Sequence, residues 1–245
     1  MKQDAPAIQP SISPERKTSA LLATFVVALL FGSAFPSLRT VYNHWDANKV
    51  EVTLYTLWLF AGLRFTIAGL SLICISKRPF QDLKATPVKL LILFAFTQTV
   101  FHYLFFYVGV HVSSGSLAAL LASTGSFWWL ILAPLILKTP FPNRKQWLAI
   151  AIGAIALSIA IYKPGTGAGK PWLGALMIIS GNLSATIGII LFSKIKLTMG
   201  SKSGSGFALF FGGIILAFIG APAWGQITEM FDLLTISITL WLVVV

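Results

Sequence analysis

The chain has 245 residues, 56% of them hydrophobic and only 10% charged, with a mean hydropathy of +0.84. Soluble domains carry roughly 25% charged residues, so this chain cannot clothe a water-facing globule in polar side chains. Its net charge of +11 invites a nucleic-acid reading, which the placement of the cations excludes.

A helix crosses the hydrocarbon core with about 20 mostly apolar residues. Residues 1–19, with Pro6, Pro10 and Pro14, read as a tail. Seven complete apolar runs follow, at 20–38, 54–76, 90–110, 113–137, 147–162, 173–193 and 206–224, and an eighth begins at 233. The runs are apolar all round and do not alternate in polarity, which predicts helices rather than barrel strands. The expected fold is all-α, a polytopic membrane helical bundle. The first run is longer than the roughly 7–15 residues of a signal-peptide core and is read as a retained helix.

With the N-terminus placed in the cytoplasm, the cations sort by side. Lys2, Arg16 and Lys17, then Lys77, Arg78, Lys84 and Lys89, then Lys138, Arg144 and Lys145, then Lys194, Lys196 and Lys202 fall inside. Only Arg39, Lys49, Lys163 and Lys170 fall outside, and Arg64 lies within a span. Such an excess of Lys and Arg on the cytoplasmic side orients polytopic chains. The basic balance therefore reports topology in a plasma (inner) membrane and is no nucleic-acid footprint. Cys74 is the only cysteine, so the chain has no internal disulfide.

Charged and strongly polar groups inside a bilayer are costly and usually face a cavity or a partner. Arg64 sits mid-span, and no Asp or Glu occurs in any complete run. It reads either as a cavity cation for anionic groups or as a structural donor to a neighbouring helix. Gln98 and His102 are four apart, on one face of the third helix, as cavity lining or as interhelical bonds. Ser114, Ala118, Ala122 and Ser126 recur every four residues, a small stripe read as packing. Trp128 and Trp129 follow it and read as lipid-facing packing or, alternatively, as cavity lining for flat or apolar solutes. His111, near the outer surface, reads as solvated. Asn182, with Ser180 and Ser184 nearby, sits mid-span in the sixth helix, where it could bond a solute or pin helices. Residues 165–170 (GTGAGK) look like a phosphate loop, but Pro164 and Pro171 stand where the pattern needs Gly and Ser/Thr. No catalytic set, metal cluster or cofactor motif is present in the pattern of residues.

Five runs precede the Pro/Gly-rich connection at 163–171. A repeat of five helices enters the membrane from the opposite side and is inverted, the architecture of many secondary transporters. Residues 20–162 are thus read as a first repeat and 172–245 as the start of a second, incomplete one, with two or more helices expected after Val245. Segments 21–39 and 173–194 share a small-residue patch near mid-span and a basic end.

The chain resembles the drug/metabolite transporter superfamily, specifically its EamA family. The resemblance is carried by Phe31-Gly32-Ser33-Ala34-Phe35-Pro36, by Arg64-Phe65 with Ala68-Gly69, by residues 103–121 (YLFFYVGVHVSSGSLAALL), and by Gln146-Trp147 with Gly153. It covers about residues 20–200. It implies ten helices in two inverted repeats and export or exchange of small metabolites through a central cavity. Two departures bear on gating. Ser123-Thr124-Gly125-Ser126 stands where the family often has Pro, and Lys138-Thr139 where it often has Glu-Arg.

The expected function is a secondary transporter of small organic metabolites or drugs working by alternating access. It needs no cofactor, and its partners are the lipid bilayer and a small-molecule substrate. The candidate cavity residues are Arg64, Gln98, His102, Ser123, Thr124 and Asn182. The alternatives are a non-transporting scaffold or inactive remnant and, further off, a membrane-embedded lipid enzyme. No motif specifies an oligomeric state.

Overall fold

A helix in hydrocarbon must satisfy its own polar groups, and the first one does so throughout. Helix α1 (Pro14–Ala47) runs for 34 residues, about 50 Å at 1.5 Å per residue. Its hydroxyls fold back on its own carbonyls, Thr24 on Ala20, Ser33 on Leu30, Ser37 on Ser33 and Thr40 on Pro36. The computed structural model describes residues 14–162 and 170–244. Most of the expected tail, and residues 163–169 of the Pro/Gly-rich connection, lie outside them. The helix continues past residue 38, where the apolar run was expected to end. Its C-terminal half packs into the protein through Leu38, Val41, Tyr42 and Trp45, all buried, while Leu21 and Phe25 on the N-terminal half are exposed.

Helix α2 (Leu54–Cys74) starts at a capping box in which Thr53 and Thr56 each bond the other's backbone N–H. After the short α3 (Pro79–Ala85), the third span is one continuous path of three pieces. These are α4 (Val88–Ala95), a π turn at Phe96–Phe101 and α5 (His102–Val112). The fourth span is broken at Ser123 into α6 (Gly115–Ala122) and α7 (Thr124–Leu137). Helices α8 (Arg144–Tyr162), α9 (Pro171–Ile195) and α10 (Ser201–Ile219) follow. The chain leaves α10 at Ile219, earlier than the apolar run suggested. A 3₁₀ stretch (Ala221–Gln226) and α11 (Ile227–Met230) then precede α12 (Leu233–Val244), at 114° to the piece before it.

Among the described residues, seven helical segments are long and apolar enough to cross a membrane, or eight if the bent pair ending in α12 is one span. No strand occurs among the described residues. The protein is an all-α polytopic helical bundle.

Lipid tails are as apolar as leucine, so close backbone approach rather than hydrophobic segregation must hold such helices together. Glycine supplies it here at a spacing of seven. Gly62 and Gly69 of α2 face Gly213 and Gly206 of the antiparallel α10. A Cβ on Gly213 would come within 2.5 Å of the Thr66 nitrogen, and one on Gly62 within 2.7 Å of the Gly213 carbonyl oxygen. Gly174, Gly181 and Gly188 of α9 lie the same way along the third span, against Gly109, His102 and Gln98 in turn. Two apolar cores result. The larger gathers Trp45, Phe60, Tyr107, Leu121 and Ile178. The smaller, toward the end carrying α3, gathers Leu91, Phe94, Ile195 and Phe207. At that end Asp82 accepts bonds from the Ser203 hydroxyl (2.6 Å) and the Gly200 N–H (3.2 Å), tying the α3 connection to the start of α10.

Candidate substrate cavity

Two interruptions face each other across α9, and a cavity of about 670 Å³ lies beside them. The first is the π turn in the third span. Widening one turn disturbs the regular carbonyl ladder, and the Ser184 hydroxyl of α9 donates to the Thr97 carbonyl at 2.8 Å. Such turns are often found at functional sites. The second is the break at Ser123. Helix ends leave carbonyls without partners, and here Asn182 of α9 serves them. Its Nδ2 points at the Leu121 carbonyl (3.0 Å), the Ala122 carbonyl (3.3 Å) and the Thr124 hydroxyl (2.9 Å). Thr124 donates its own proton to Leu121 (2.7 Å) and so accepts from Asn182. Thr186, one turn further along α9, donates to the Asn182 carbonyl at 2.8 Å, with the Gly125 carbonyl a longer contact at 3.3 Å.

Four of the six sequence candidates line the cavity: Arg64, Gln98, His102 and Asn182. The other two do not. Ser123 turns its hydroxyl to the Leu120 carbonyl on an exposed face, and Thr124 is buried on Asn182 behind the wall. The cavity is reached instead by their neighbours Gly125 and Ser126.

Arg64 is half-buried, lines the cavity and donates to a neighbouring helix. Its Nε donates to the Leu242 carbonyl of α12 at 2.9 Å, and Nη1 donates to the Tyr107 hydroxyl at 2.7 Å. The guanidinium carbon stands 4.7 Å from the centre of the Phe65 ring. No carboxylate pairs with it among the described residues. His102 donates from Nδ1 to the Gly181 carbonyl at 2.9 Å. In that tautomer Nε2 is an acceptor, and it has no protein partner on this cavity-lining side chain. Gln98 keeps its Oε1 buried without a partner.

Around these polar groups the wall is aromatic. Tyr103 of the wall lies 3.9 Å between centres from the buried Phe65 ring, their planes tilted by 30°, and meets His102 at 4.4 Å. Phe35 and Phe106 add a further pair at 5.9 Å. Tyr103, Phe106 and Tyr107 were not singled out in the sequence, although each follows a polar candidate within a helical turn or two on the third span. Trp129 lines the cavity and Trp128 donates to the Ile179 carbonyl at 3.2 Å, so neither reads as a plain lipid contact. His111 is half-buried against Tyr42 (5.7 Å between rings) rather than solvated, and Arg39 donates to its carbonyl at 2.9 Å.

At the end of the bundle away from α3, two polar contacts tie α1 to the segment that leads into α12. Trp45 donates to the Met230 carbonyl (2.9 Å), and His44 donates to Asp232 (2.6 Å). Asp232 caps α12 through the Thr235 N–H. That backbone bond, followed by the His44 contact, holds the exposed Asp232 carboxyl below its ordinary range.

An all-helical, polytopic bundle enclosing a chamber of this size beside two interrupted helices defines a class: integral membrane proteins built around an internal small-molecule-sized cavity. Residues 18–162 match the EamA-like transporter family, and the chain belongs to that family. It is similar to the uncharacterized inner membrane transporter YedA of Escherichia coli K12, and equally to YedA of E. coli O157:H7. It is 26% identical to each over 218 residues, covering 85% of this chain and 64% of the relative. The chain thus spans less than two thirds of the length of these curated relatives. No solved structure matches it.

Proposed function

We propose that the protein is a secondary transporter of small organic solutes, working by alternating access across an inner membrane with its N-terminus in the cytoplasm. The carrying observation is the cavity between the π turn and the fourth-span break. Irregular backbone at membrane depth is tolerated where it lines a cavity, and transporter sites are commonly built from interrupted helices.

The architecture is read as two inverted repeats, over 20–162 and 172–245. Two features support this. The α2–α10 contact is reciprocal, since Gly62 meets the Gly213 carbonyl and Gly213 meets the Gly62 carbonyl. The pairing of the third span with α9 also has a counterpart in the pairing of α12 with α1. A twofold axis between α2 and α10 would exchange both pairs.

Two experiments test this. A panel of labelled small metabolites is followed in proteoliposomes holding the protein encoded by the whole gene. Saturable flux lost in Asn182→Leu is expected, and no flux for any solute would favour a scaffold. Cys74, exposed at the end of α2 and the only cysteine, reports sidedness. An impermeant maleimide should label it in inverted vesicles and not in intact cells, and the opposite pattern would reverse the topology.

A further inference from the structure

We infer that the cavity selects organic anions carrying an aromatic ring, with Arg64 as the carboxylate-binding group. This deepens the transport reading and rests on it only in taking the cavity for a solute site.

The electrostatics are one-sided. The six acidic residues among the described ones, at positions 15, 46, 51, 82, 229 and 232, fall at helix ends or between spans, and the seventh is at position 4 of the sequence. Arg64 therefore stands at mid-depth with no counter-charge. A lone cation in a bilayer is costly. Here it is held by two neutral acceptors, the Leu242 carbonyl and the Tyr107 hydroxyl. These satisfy one edge of the guanidinium. Five N–H groups in a planar fork are available to arginine, so the rest can receive a carboxylate, which it binds in paired, charge-assisted bonds. An anion arriving at this point gains the interaction that the protein leaves unfilled. A cationic solute meets a like charge and finds no carboxylate in the wall.

The aromatic part of the inference comes from the remaining wall. Tyr103 lines the space and rests on the buried Phe65, whose ring lies 4.7 Å from the guanidinium carbon. Phe106 and Trp129 face the same space. Flat rings favour offset or edge-on partners, so a planar apolar body beside the anionic end is the matching shape. A volume of about 670 Å³ accommodates one such molecule, within the roughly 300–1,000 Å³ of drug-sized pockets. Opposite Arg64 in chemical character, His102 Nε2 is an open acceptor, and a donor on the ring would be tolerated there.

The test uses purified full-length protein and three near-isosteric probes: phenylacetate, phenylacetamide and phenethylamine. Isothermal titration should show phenylacetate binding about tenfold or more tighter than the amide, in line with the gain of a charged hydrogen-bond pair over a neutral one. Phenethylamine should bind weakest. In Arg64→Gln the anion-to-amide ratio should fall to about one while amide binding persists, and Arg64→Lys should recover part of it. Equal or tighter binding of the amide or amine to the wild type would overturn the inference, as would an unchanged ratio in Arg64→Gln. Should Arg64→Gln fail to fold, the wild-type series alone decides, because the three probes differ in charge and little else. Flux in proteoliposomes separates this from the transport reading. Anion-selective binding without flux defeats transport and keeps the site, whereas flux of neutral or cationic solutes without anion selectivity defeats the site and keeps transport.

Discussion

Helices α8 and α10 have the same length, 19 residues, and equal mean hydropathy over their most apolar stretch, yet they meet opposite fates. About half of α10 is buried and none of α8 is. Apolarity cannot explain this, because burial against protein and exposure to lipid are nearly equivalent for an aliphatic side chain. Backbone approach explains it. Helix α10 carries Gly206, Gly213 and Gly220 on one stripe, each pressed against α2. The lone Gly153 of α8 faces only the tip of the Phe127 ring. In this solvent, hydropathy says that a segment crosses the membrane and glycine spacing says whom it meets.

The sharpest way to break the contrast is to substitute both faces. Gly213→Val would drive a side chain into the Thr66 backbone and should cost upwards of about 3 kcal/mol, read as loss of the monodisperse peak in mild detergent. Gly153→Val should stay within about 1 kcal/mol of wild type, because a phenyl ring can swing aside. Equal tolerance at both sites would end the explanation.

Polar stitching is the next level down. Asn182→Leu strands the Leu121 and Ala122 carbonyls and the Thr124 hydroxyl at the fourth-span break. A cost of about 1–3 kcal/mol is expected, measured by unfolding in mixed micelles of increasing SDS fraction. Ser184→Ala removes a single bond to Thr97, and single interhelical bonds in membranes average about 0.6 kcal/mol. A Ser184 effect as large as that of Asn182 would mean that the π turn, not the break, is the costlier irregularity.

The smallest effect expected is one of pH. Asp232 has a lowered carboxyl pKa in the folded protein. Its contribution is complete above the ordinary carboxylate value and is lost as pH falls through the lowered folded one. Wild type should therefore lose thermal stability between about pH 5 and pH 3 relative to Asp232→Asn. Parallel melting curves for the two proteins over that range would remove the His44–Asp232 pair from the contacts that stabilise the fold.

Much of this architecture was legible from residue order. The spans, the all-helical class and the family are carried by apolar runs and by short motifs such as Arg64-Phe65. Four of the six cavity candidates were found because a polar side chain in an apolar run needs a reason. Ser123 and Thr124 failed that logic, since a hydroxyl can satisfy itself on its own helix, as Ser123 does on Leu120. The stripe at Ser114, Ala118, Ala122 and Ser126 drew notice at a spacing of four. The glycines that meet partner backbones instead repeat at seven, at 174, 181, 188 and at 206, 213, 220. That spacing was open to inspection and is the signal that would have paired the helices. The π turn had no such signal. Residues 96–101 (FTQTVF) contain neither Pro nor Gly, and the widened turn arises only from what the two ends of the span must touch.

That turn also has a genetic consequence. Leu91 and Phe94 before it belong to one core, and Tyr107 and Val110 after it to the other. One surplus residue lets a single rod satisfy both in phase. Deleting any one codon between 96 and 101 would regularise the helix and rotate one end against the other by about 100°. A shorter, more ideal helix would then be the more damaging allele, while a compensating insertion nearby could restore the fit without restoring the original residue.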